Sequence, residues 1–315
     1  MKKIKDFENI IIVPFFNDEK SLNILLKELK KEFLNQFYMV IIDDGSLKCT
    51  ITDKNLKKAK VNGLIIKLKI NQGHQNAIAF GIKYISNFIN SNHKIIVMDC
   101  DGEDTPACAK VLAKEIFKDD FDVIVAKRDK RSEALVFKLF YLIYKFIFLI
   151  LTGRKIDFGN FLVLKKHSIS RLILMPQLTT HLAATVISSG LRIKKIPINR
   201  GKRYAGQSKM NFFSLTLHGF RALMVFTEEV LVRVGTVCIL IAIIAAIFSI
   251  IVVVLKIIGF SSPGWFSIAL GILLLIMLQT GAISLSLLIS AGKNETKSII
   301  TRNYDENLVE NIFEN

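Results

Sequence analysis

Apolar and polar positions in the first 130 residues follow two alternating periods. Short apolar runs at Asn9 to Phe15, Tyr38 to Ile42, Ile65 to Ile70, Lys94 to Met98 and Asp122 to Ala126 have the length and β-branched content of buried strands. Between them, Ser21 to Phe33 places Leu22, Leu25, Leu26 and Leu29 on one helical face, and Asn76 to Phe88 and Ala107 to Phe117 also read as helices. Strands alternating with helices predict β-α-β units, and hence an α/β fold with a mostly parallel sheet covered on both faces. In such a sheet the ligand crevice lies at the C-terminal ends of the strands.

The C-terminal third has a different pattern. Gly235 to Leu255 and Trp265 to Ser290 contain no charge, and each is long enough to cross a bilayer core, which takes about 20 helical residues. Only Lys256 to Gly264 separates them, which predicts a transmembrane hairpin with both ends on one side. Lysine and arginine are dense before the first span, and Lys293, Lys297 and Arg302 follow the second. The positive-inside bias then puts the N-terminal region and the tail in the cytoplasm, as parts of an integral protein of the cytoplasmic membrane. Trp265 suits the membrane interface.

Leu135 to Thr152 is also apolar, but Lys138, Tyr141 and Lys145 form a polar stripe on one face. That favours a helix lying in the interface plane over a third span or a soluble core helix. Asn211, Ser214, His218, Arg221 and Glu228 form a similar stripe before the first span. The expected division is a cytoplasmic domain over residues 1–210 with an interfacial helix at about 134–152. A juxtamembrane amphipathic helix over 211–232, two spans over 233–291 and a frayed cytoplasmic tail over 292–315 follow.

Composition adds the class of partner. The 315 residues are 51% hydrophobic and carry a formal net charge of +16, which suits nucleic acid, an anionic membrane or a phosphorylated substrate. With two spans and no nucleic-acid-binding signature, the membrane and the phosphorylated substrate are the expected partners, and nucleic acid is not. The basic N-terminus is followed by a short apolar run broken by Pro14, which does not read as a signal peptide. Cys49, Cys100, Cys108 and Cys238 contain no C-x-x-C pair and indicate neither a disulfide framework nor a zinc site.

The chemistry gathers at predicted strand ends. Pro14 to Glu19 ends the first strand, Asp43 to Ser46 the second, and Asp99 to Glu103 the fourth. Asp99, Asp101 and Glu103 are spaced by two and would share one face of an extended segment. Converging carboxylates repel unless a cation sits among them, and a hard divalent ion carrying phosphates on its open positions resolves that conflict.

Taken together, residues 10 to about 235 resemble family-two glycosyltransferases of the Rossmann-like GT-A fold, in particular the membrane-attached branch that glycosylates polyprenyl phosphates. Val13-Pro14-Phe15-Phe16-Asn17-Asp18-Glu19 stands where that family has V-P-x-Y-N-E, Asp43-Asp44-Gly45-Ser46 is its D-D-G-S, and Asn71-Gln72-Gly73-His74 resembles its N-x-G helix start. Met98 to Pro106 aligns with M-D-A-D-L-Q-D-P-P, Lys127 to Arg131 resembles an arginine pair, and Arg203 to Lys209 resembles R-x-x-G-x-S-K. Two C-terminal spans are also usual there.

The resemblance implies that Pro14, Phe16, Asn17, Glu19, Asp43, Asp44, Gly73 and Asp99 hold a nucleotide-diphosphate sugar, with UDP the first expectation for the nucleotide and GDP the second. Asp99, Asp101 and Glu103 would bind Mg²⁺ or Mn²⁺, which neutralises the leaving diphosphate. Arg203, Ser208 and Lys209 would meet the acceptor's phosphate, and Arg128, Arg131 and Asp157 would be catalytic. Two departures stand out. Where the family often reads G-D-F-R-L, this chain has Gly159-Asn160-Phe161-Leu162-Val163, so an acid is missing and Asp157 is the nearest carboxylate; Glu103 also replaces a glutamine.

The implied reaction is inverting, metal-dependent transfer of a sugar to polyprenyl phosphate at the cytoplasmic face. A phosphate monoester is largely ionised at pH 7, because its second pKa is about 6, and needs orientation more than a base. A transferase acting on a sugar hydroxyl, with Asp157 as general base, is the alternative. A membrane scaffold that binds nucleotide sugar without turnover is a remote third. The motifs encode neither the sugar nor the oligomeric state, so a homo-oligomer stays open.

Overall fold

The structure, a computed structural model, describes residues 2–48, 51–118, 120–128, 135–206, 212–260, 262, 264–297 and 306–315. In chain order the strands and α-helices are β1 (Asn9–Phe15), α1 (Glu19–Phe33), β2 (Phe37–Asp43), α2 (Asp53–Ala59), β3 (Gly63–Leu68), α3 (His74–Ile85), β4 (Lys94–Val97), α4 (Pro106–Glu115) and β5 (Val123–Arg128). They continue with α5 (Leu135–Thr152), β6 (Phe158–Leu164), α6 (Lys166–Leu172), α7 (Leu182–Ser188), β7 (Ile193–Ile198), α8 (Phe212–Met224), α9 (Thr227–Ile257), α10 (Trp265–Lys297) and β8 (Val309–Glu314).

Among the described residues, eight strands form one sheet in the order β7-β5-β6-β4-β1-β2-β3-β8. The pairs β1–β2, β1–β4, β2–β3 and β5–β7 are parallel, while β6 runs antiparallel to both neighbours. Period two sorts the apolar runs to two cores. Ile10, Ile12, Val40 and Ile42 face a cluster containing α3 and α7, whereas Ile11, Val13, Met39 and Ile41 face one containing α1, α2 and α4. Burial on both faces is why these strands read as unbroken apolar runs.

Two expectations are corrected. The third strand is Gly63–Leu68, not residues 65–70: the chain leaves the sheet so that the backbone at Ile70 and Asn71 can cross Gly45, and Ile70 is left 59% exposed. The tail is not frayed throughout, because β8 pairs antiparallel with β3. Without it, β3 would leave a row of backbone groups unpaired at the sheet edge. Side chains pin the strand: Tyr38 Oη donates to Glu314 at 3.0 Å, Lys67 pairs with Glu310 at 3.0 Å, and Asn315 Nδ2 donates to the Val61 carbonyl at 2.9 Å.

The sheet with α1–α4, α6–α8 and the first part of α5 forms one compact unit; α9, α10 and the end of α5 belong to a second. In that second unit α9 and α10 span 31 and 33 residues, and both contain stretches long and apolar enough to cross a membrane. The buried residues of α9, Cys238, Ala245 and Val252, recur every seven positions, the repeat of a helix–helix seam. Its other side chains are largely exposed apolar groups, as lipid-facing residues would be.

At the opposite sheet edge from the strand-end carboxylates, Asp122 ties β5 to the turn before β7. Its carboxylate accepts from the backbone N–H and Nε of Arg192 at 2.8 and 3.2 Å and lies 2.9 Å from His167 Nε2. The Arg192 hydrogen bonds hold this carboxyl well below the usual range. A depressed carboxyl contributes stability that is complete above its unfolded pKa near 4 and lost as acid protonates the folded group. Asp122→Asn is therefore expected to cost about 1–3 kcal/mol at pH 7, with the difference from wild type starting to close only below about pH 4 and largely persisting at about pH 3 in thermal melts.

Candidate functional site

The site begins with register. Phe15 pairs with Asp43 and Ile12 with Val97, so the C-terminal ends of β2, β1 and β4 stand side by side. Strand order reverses about β1, and that switch point opens a crevice. Pro14 is buried in the last pairs of β1, and Phe16 just beyond is 40% exposed. Asn17, at φ +51°, donates its N–H to Ser46 Oγ at 2.9 Å and accepts from the Lys48 N–H at 2.9 Å. Ser46 in turn donates its N–H to Asp43 Oδ1 at 3.0 Å. Asp43 Oδ2 is buried without a hydrogen bond, and burial raises this carboxyl.

Other predicted donor-site residues are occupied by the protein itself. Asp44 accepts the Gln72 N–H at 2.7 Å and the Gly73 N–H at 2.9 Å, fixing the start of α3 against the end of β2. Glu19 accepts from Asn55 Nδ2 at 2.9 Å and so joins α1 to α2. Gly45 is required locally: at φ +69°, an added Cβ would meet the Ile70 carbonyl carbon at 2.6 Å. Gly73, at φ +90°, has no atom within 4 Å of an added Cβ, which leaves room above it.

Past β4 the chain turns, and Thr105 caps α4 by accepting the Cys108 N–H at 3.3 Å. Within the turn, buried Asp104 accepts the Asp99 N–H at 3.0 Å, and its carboxyl is raised well above normal by burial and by Asp99. Asp99 Oδ1 is shielded, makes no hydrogen bond, and faces His74 Nε2 at 3.3 Å. Burial, then the charge of Asp99, pushes Asp101 up to about 6. Arg128, at the end of β5, is close enough for its charge to act on Asp104.

Glu103 lies elsewhere than the even spacing suggests. Arg203 donates from Nη2 to Asp101 Oδ2 and from Nε to Glu103 Oε1, both at 2.8 Å, and Arg200 Nη1 pairs with Glu103 Oε2. Gly102, at φ +92°, breaks the extended run, so the three carboxylates do not share one face. Among the described residues no three histidine, cysteine, aspartate or glutamate side chains form a ready metal-binding group. Arg131, Ser208 and Lys209 lie outside the described residues.

The antiparallel course of β6 decides which residue completes the crevice. Val97 ends the pairing opposite Leu162, and Asn160 lies two residues before Leu162 on β6. Asn160 Nδ2 lies 3.1 Å from His74 Nε2. Asp157 is three residues further out, where Lys195 pairs with it at 2.7 Å and Lys127 approaches to 3.9 Å. His218 of α8 packs at a tilt against buried His181 with ring centroids 4.3 Å apart, and it feels the charges of His74 and Asp99. Burial, aided by His218, lowers His181 to about 3; His218 is lowered chiefly by burial.

Sequence reasoning did not single out His74, Asp104, Arg200 or His181 as site residues, and it set His218 on the polar stripe of a juxtamembrane amphipathic helix. His74 and Asp104 sit inside motifs that pointed to the crevice. Nothing in the spacing marks Arg200 or His181.

Residues 10–167 match the profile of the family described as Glycosyl transferase family 2. The chain is 26% identical over 274 residues to the putative glycosyltransferase CsbB of Bacillus subtilis (strain 168), a match spanning 84% of this chain and 81% of that one. It is 24% identical over 287 residues to the uncharacterized glycosyltransferase sll0501 of Synechocystis sp. (strain ATCC 27184 / PCC 6803 / Kazusa), covering 84% of each. A solved glucosyl-3-phosphoglycerate synthase from Mycobacterium tuberculosis, in complex with Mn²⁺, UDP-glucose and phosphoglyceric acid, aligns with a TM-score of 0.51 at 9% identity. That alignment covers 71% of this chain and 80% of the synthase. At such identity the likeness is one of fold, and the shared fold is GT-A.

Proposed function

The chain belongs to glycosyl transferase family 2, and on that premise we propose that it moves a sugar from a nucleotide diphosphate to a polyprenyl phosphate at the cytoplasmic face of a membrane, with inversion. The observation that carries the reading is the pairing of Asp99 and Asp101 at the β1/β4 switch point, with Asp99 Oδ1 shielded and unbonded. Two carboxylates there, one facing only the imidazole of His74 through Oδ1 and one raised by burial and then by its neighbour's charge, fit a divalent cation. Such an ion, when bound, would offset the charge of the departing diphosphate. The Mn²⁺ and UDP-glucose held by the structurally similar synthase agree with that choice of ligands.

The residues have separable tasks. Asp43 Oδ2 and the open space at Gly73 receive the nucleoside, a buried carboxylate oxygen being a suitable acceptor for ribose hydroxyls. Asp44 and Glu19 shape that pocket by holding its loops. Arg128 and Arg203 meet the acceptor's phosphate with guanidinium donors, together with Arg131, Ser208 and Lys209 by resemblance. Asn160, where relatives carry an acid, binds no proton, and a phosphate nucleophile needs none removed.

Two apolar helices and the exposed apolar residues of α5 support attachment to a membrane. They would let a lipid tail remain in the bilayer while its phosphate reaches the crevice.

The test is the purified protein with labelled UDP- and GDP-sugars, a short polyprenyl phosphate and Mn²⁺. Lipid-linked sugar is expected; transfer to a lipid-linked glycan hydroxyl with none to the phosphate would overturn the acceptor. Asp157→Asn separates the two acceptors. Its carboxylate is occupied by Lys195, so transfer to phosphate is expected to stay within about fivefold, whereas loss of a general base typically costs 10²–10⁴-fold.

A further inference from the structure

Arg203 poses a conflict within the proposed site. Its guanidinium sits on Asp101 Oδ2, on a carboxylate that would hold the metal, although the residue is also expected to bind the acceptor's phosphate. One cation cannot hold both positions at once. The segment carrying it is firmly attached to the metal-side turn: the Gly201 N–H donates to the Glu103 carbonyl at 3.0 Å, and the Tyr204 N–H to the Asp101 carbonyl at 2.8 Å. The Tyr204 ring lies against Gly102, where an added Cβ would be 2.8 Å from it. Glu103 is the second anchor, binding Arg203 through Nε and Arg200 through its other oxygen. A carboxylate with both oxygens on guanidinium groups is poorly placed to ligate a metal as well.

Resting on the functional reading above, we infer that Glu103 is a positioning residue, not a metal ligand. It stores Arg203 on Asp101 until cation and donor arrive. With a divalent ion held at Asp101, the Arg203 guanidinium would be repelled and Nη2 would lose its partner while Nε keeps Glu103. Arg203 then pivots about Glu103 and turns its released N–H groups to the acceptor's phosphate. Donor therefore binds before acceptor, and the glutamate that replaces the family's glutamine is what retains the arginine during the exchange.

The experiment uses the full chain in detergent micelles, following free Mn²⁺ by electron paramagnetic resonance. Removing a cation that competes for Asp101 should make Arg203→Gln bind Mn²⁺ about tenfold more tightly than wild type, while Glu103→Gln stays within about threefold. A tenfold or greater loss of Mn²⁺ affinity in Glu103→Gln would make Glu103 a ligand and overturn the inference. So would unchanged or weaker Mn²⁺ binding by Arg203→Gln.

A second arm needs no variant: wild type should bind farnesyl phosphate about tenfold more tightly with Mn²⁺ and UDP than without. Equal affinity in the two states also overturns the inference. Failure of wild type to glycosylate any polyprenyl phosphate removes the functional reading instead, and the Mn²⁺ comparison then judges the storage of Arg203 by itself.

Discussion

Asp101→Asn is expected to lower sugar transfer by about 10³-fold, the several kcal/mol of charge stabilisation that a bound metal supplies. The same change should make the metal-free protein more stable. Asp101 is a half-buried carboxylate beside Asp99, raised to about 6 despite its contact with Arg203. A carboxyl whose folded pKa lies above its unfolded value near 4 costs stability as pH rises between the two, and the full cost persists above the higher one. Asparagine removes that charge. At pH 7.5 the variant should gain on the order of 1 kcal/mol, and the gain should shrink towards pH 4.

Adding Mn²⁺ should reverse the order, raising the wild-type melting temperature and scarcely moving the variant's. Functional sites commonly trade stability for activity in this way. Unimpaired transfer by Asp101→Asn would remove the metal role. A lower melting temperature without metal would show that the Arg203 contact outweighs the burial of the charge and the repulsion from Asp99.

Much of the fold was legible because its central strands are buried on both faces. β1 and β2 are buried at every position, so they appear as continuous apolar runs, and α1 announces itself by leucines on one face. Direction was not legible. Phe161 to Leu164 has the same apolar character as the parallel strands, and only pairing reveals that β6 runs the other way. β8 is short, flanked by acids and half-exposed, so it resembles a polar tail until β3 offers it an edge.

The same limit governed the site. Strand ends located the carboxylates, but partners came from far along the chain: Arg203 lies 100 residues from Glu103, and Asn160 lies 86 from His74. Spacing by two predicted convergence for Asp99, Asp101 and Glu103. That pattern assumes extended backbone, and Gly102 at φ +92° turns the chain instead. Glu103 thereby reaches two arginines whose proximity no local motif encodes.

Gly201→Ala should have the next largest effect, and it tests whether the two loops act as one piece. A Cβ at residue 201 would lie 2.3 Å from the Gly102 carbonyl oxygen and 2.5 Å from Thr105 Cγ2. Neither neighbour yields easily, since one is backbone and the other belongs to the residue capping α4. The strain is steric; Gly201 is not in the left-handed region. Relief requires the loop carrying Arg200, Arg203 and Tyr204 to move outward by roughly 1 Å, stretching the hydrogen bonds from Gly201 and Tyr204 to the Asp99–Thr105 turn. A displacement of that size at a reacting centre costs about 10²-fold in rate.

The global penalty should be smaller, roughly 1–3 kcal/mol, because the overpacked contact lies at the surface of the sheet's C-terminal edge and not in either core. The expected signature is thus a folded protein with a modestly lowered melting temperature, kcat reduced about a hundredfold, and weakened farnesyl phosphate binding even with Mn²⁺ and UDP present. A wild-type kcat in a folded Gly201→Ala protein would mean that the arginine loop reaches the acceptor without its attachment to the metal-side turn. The close approach at Gly201 would then be packing alone.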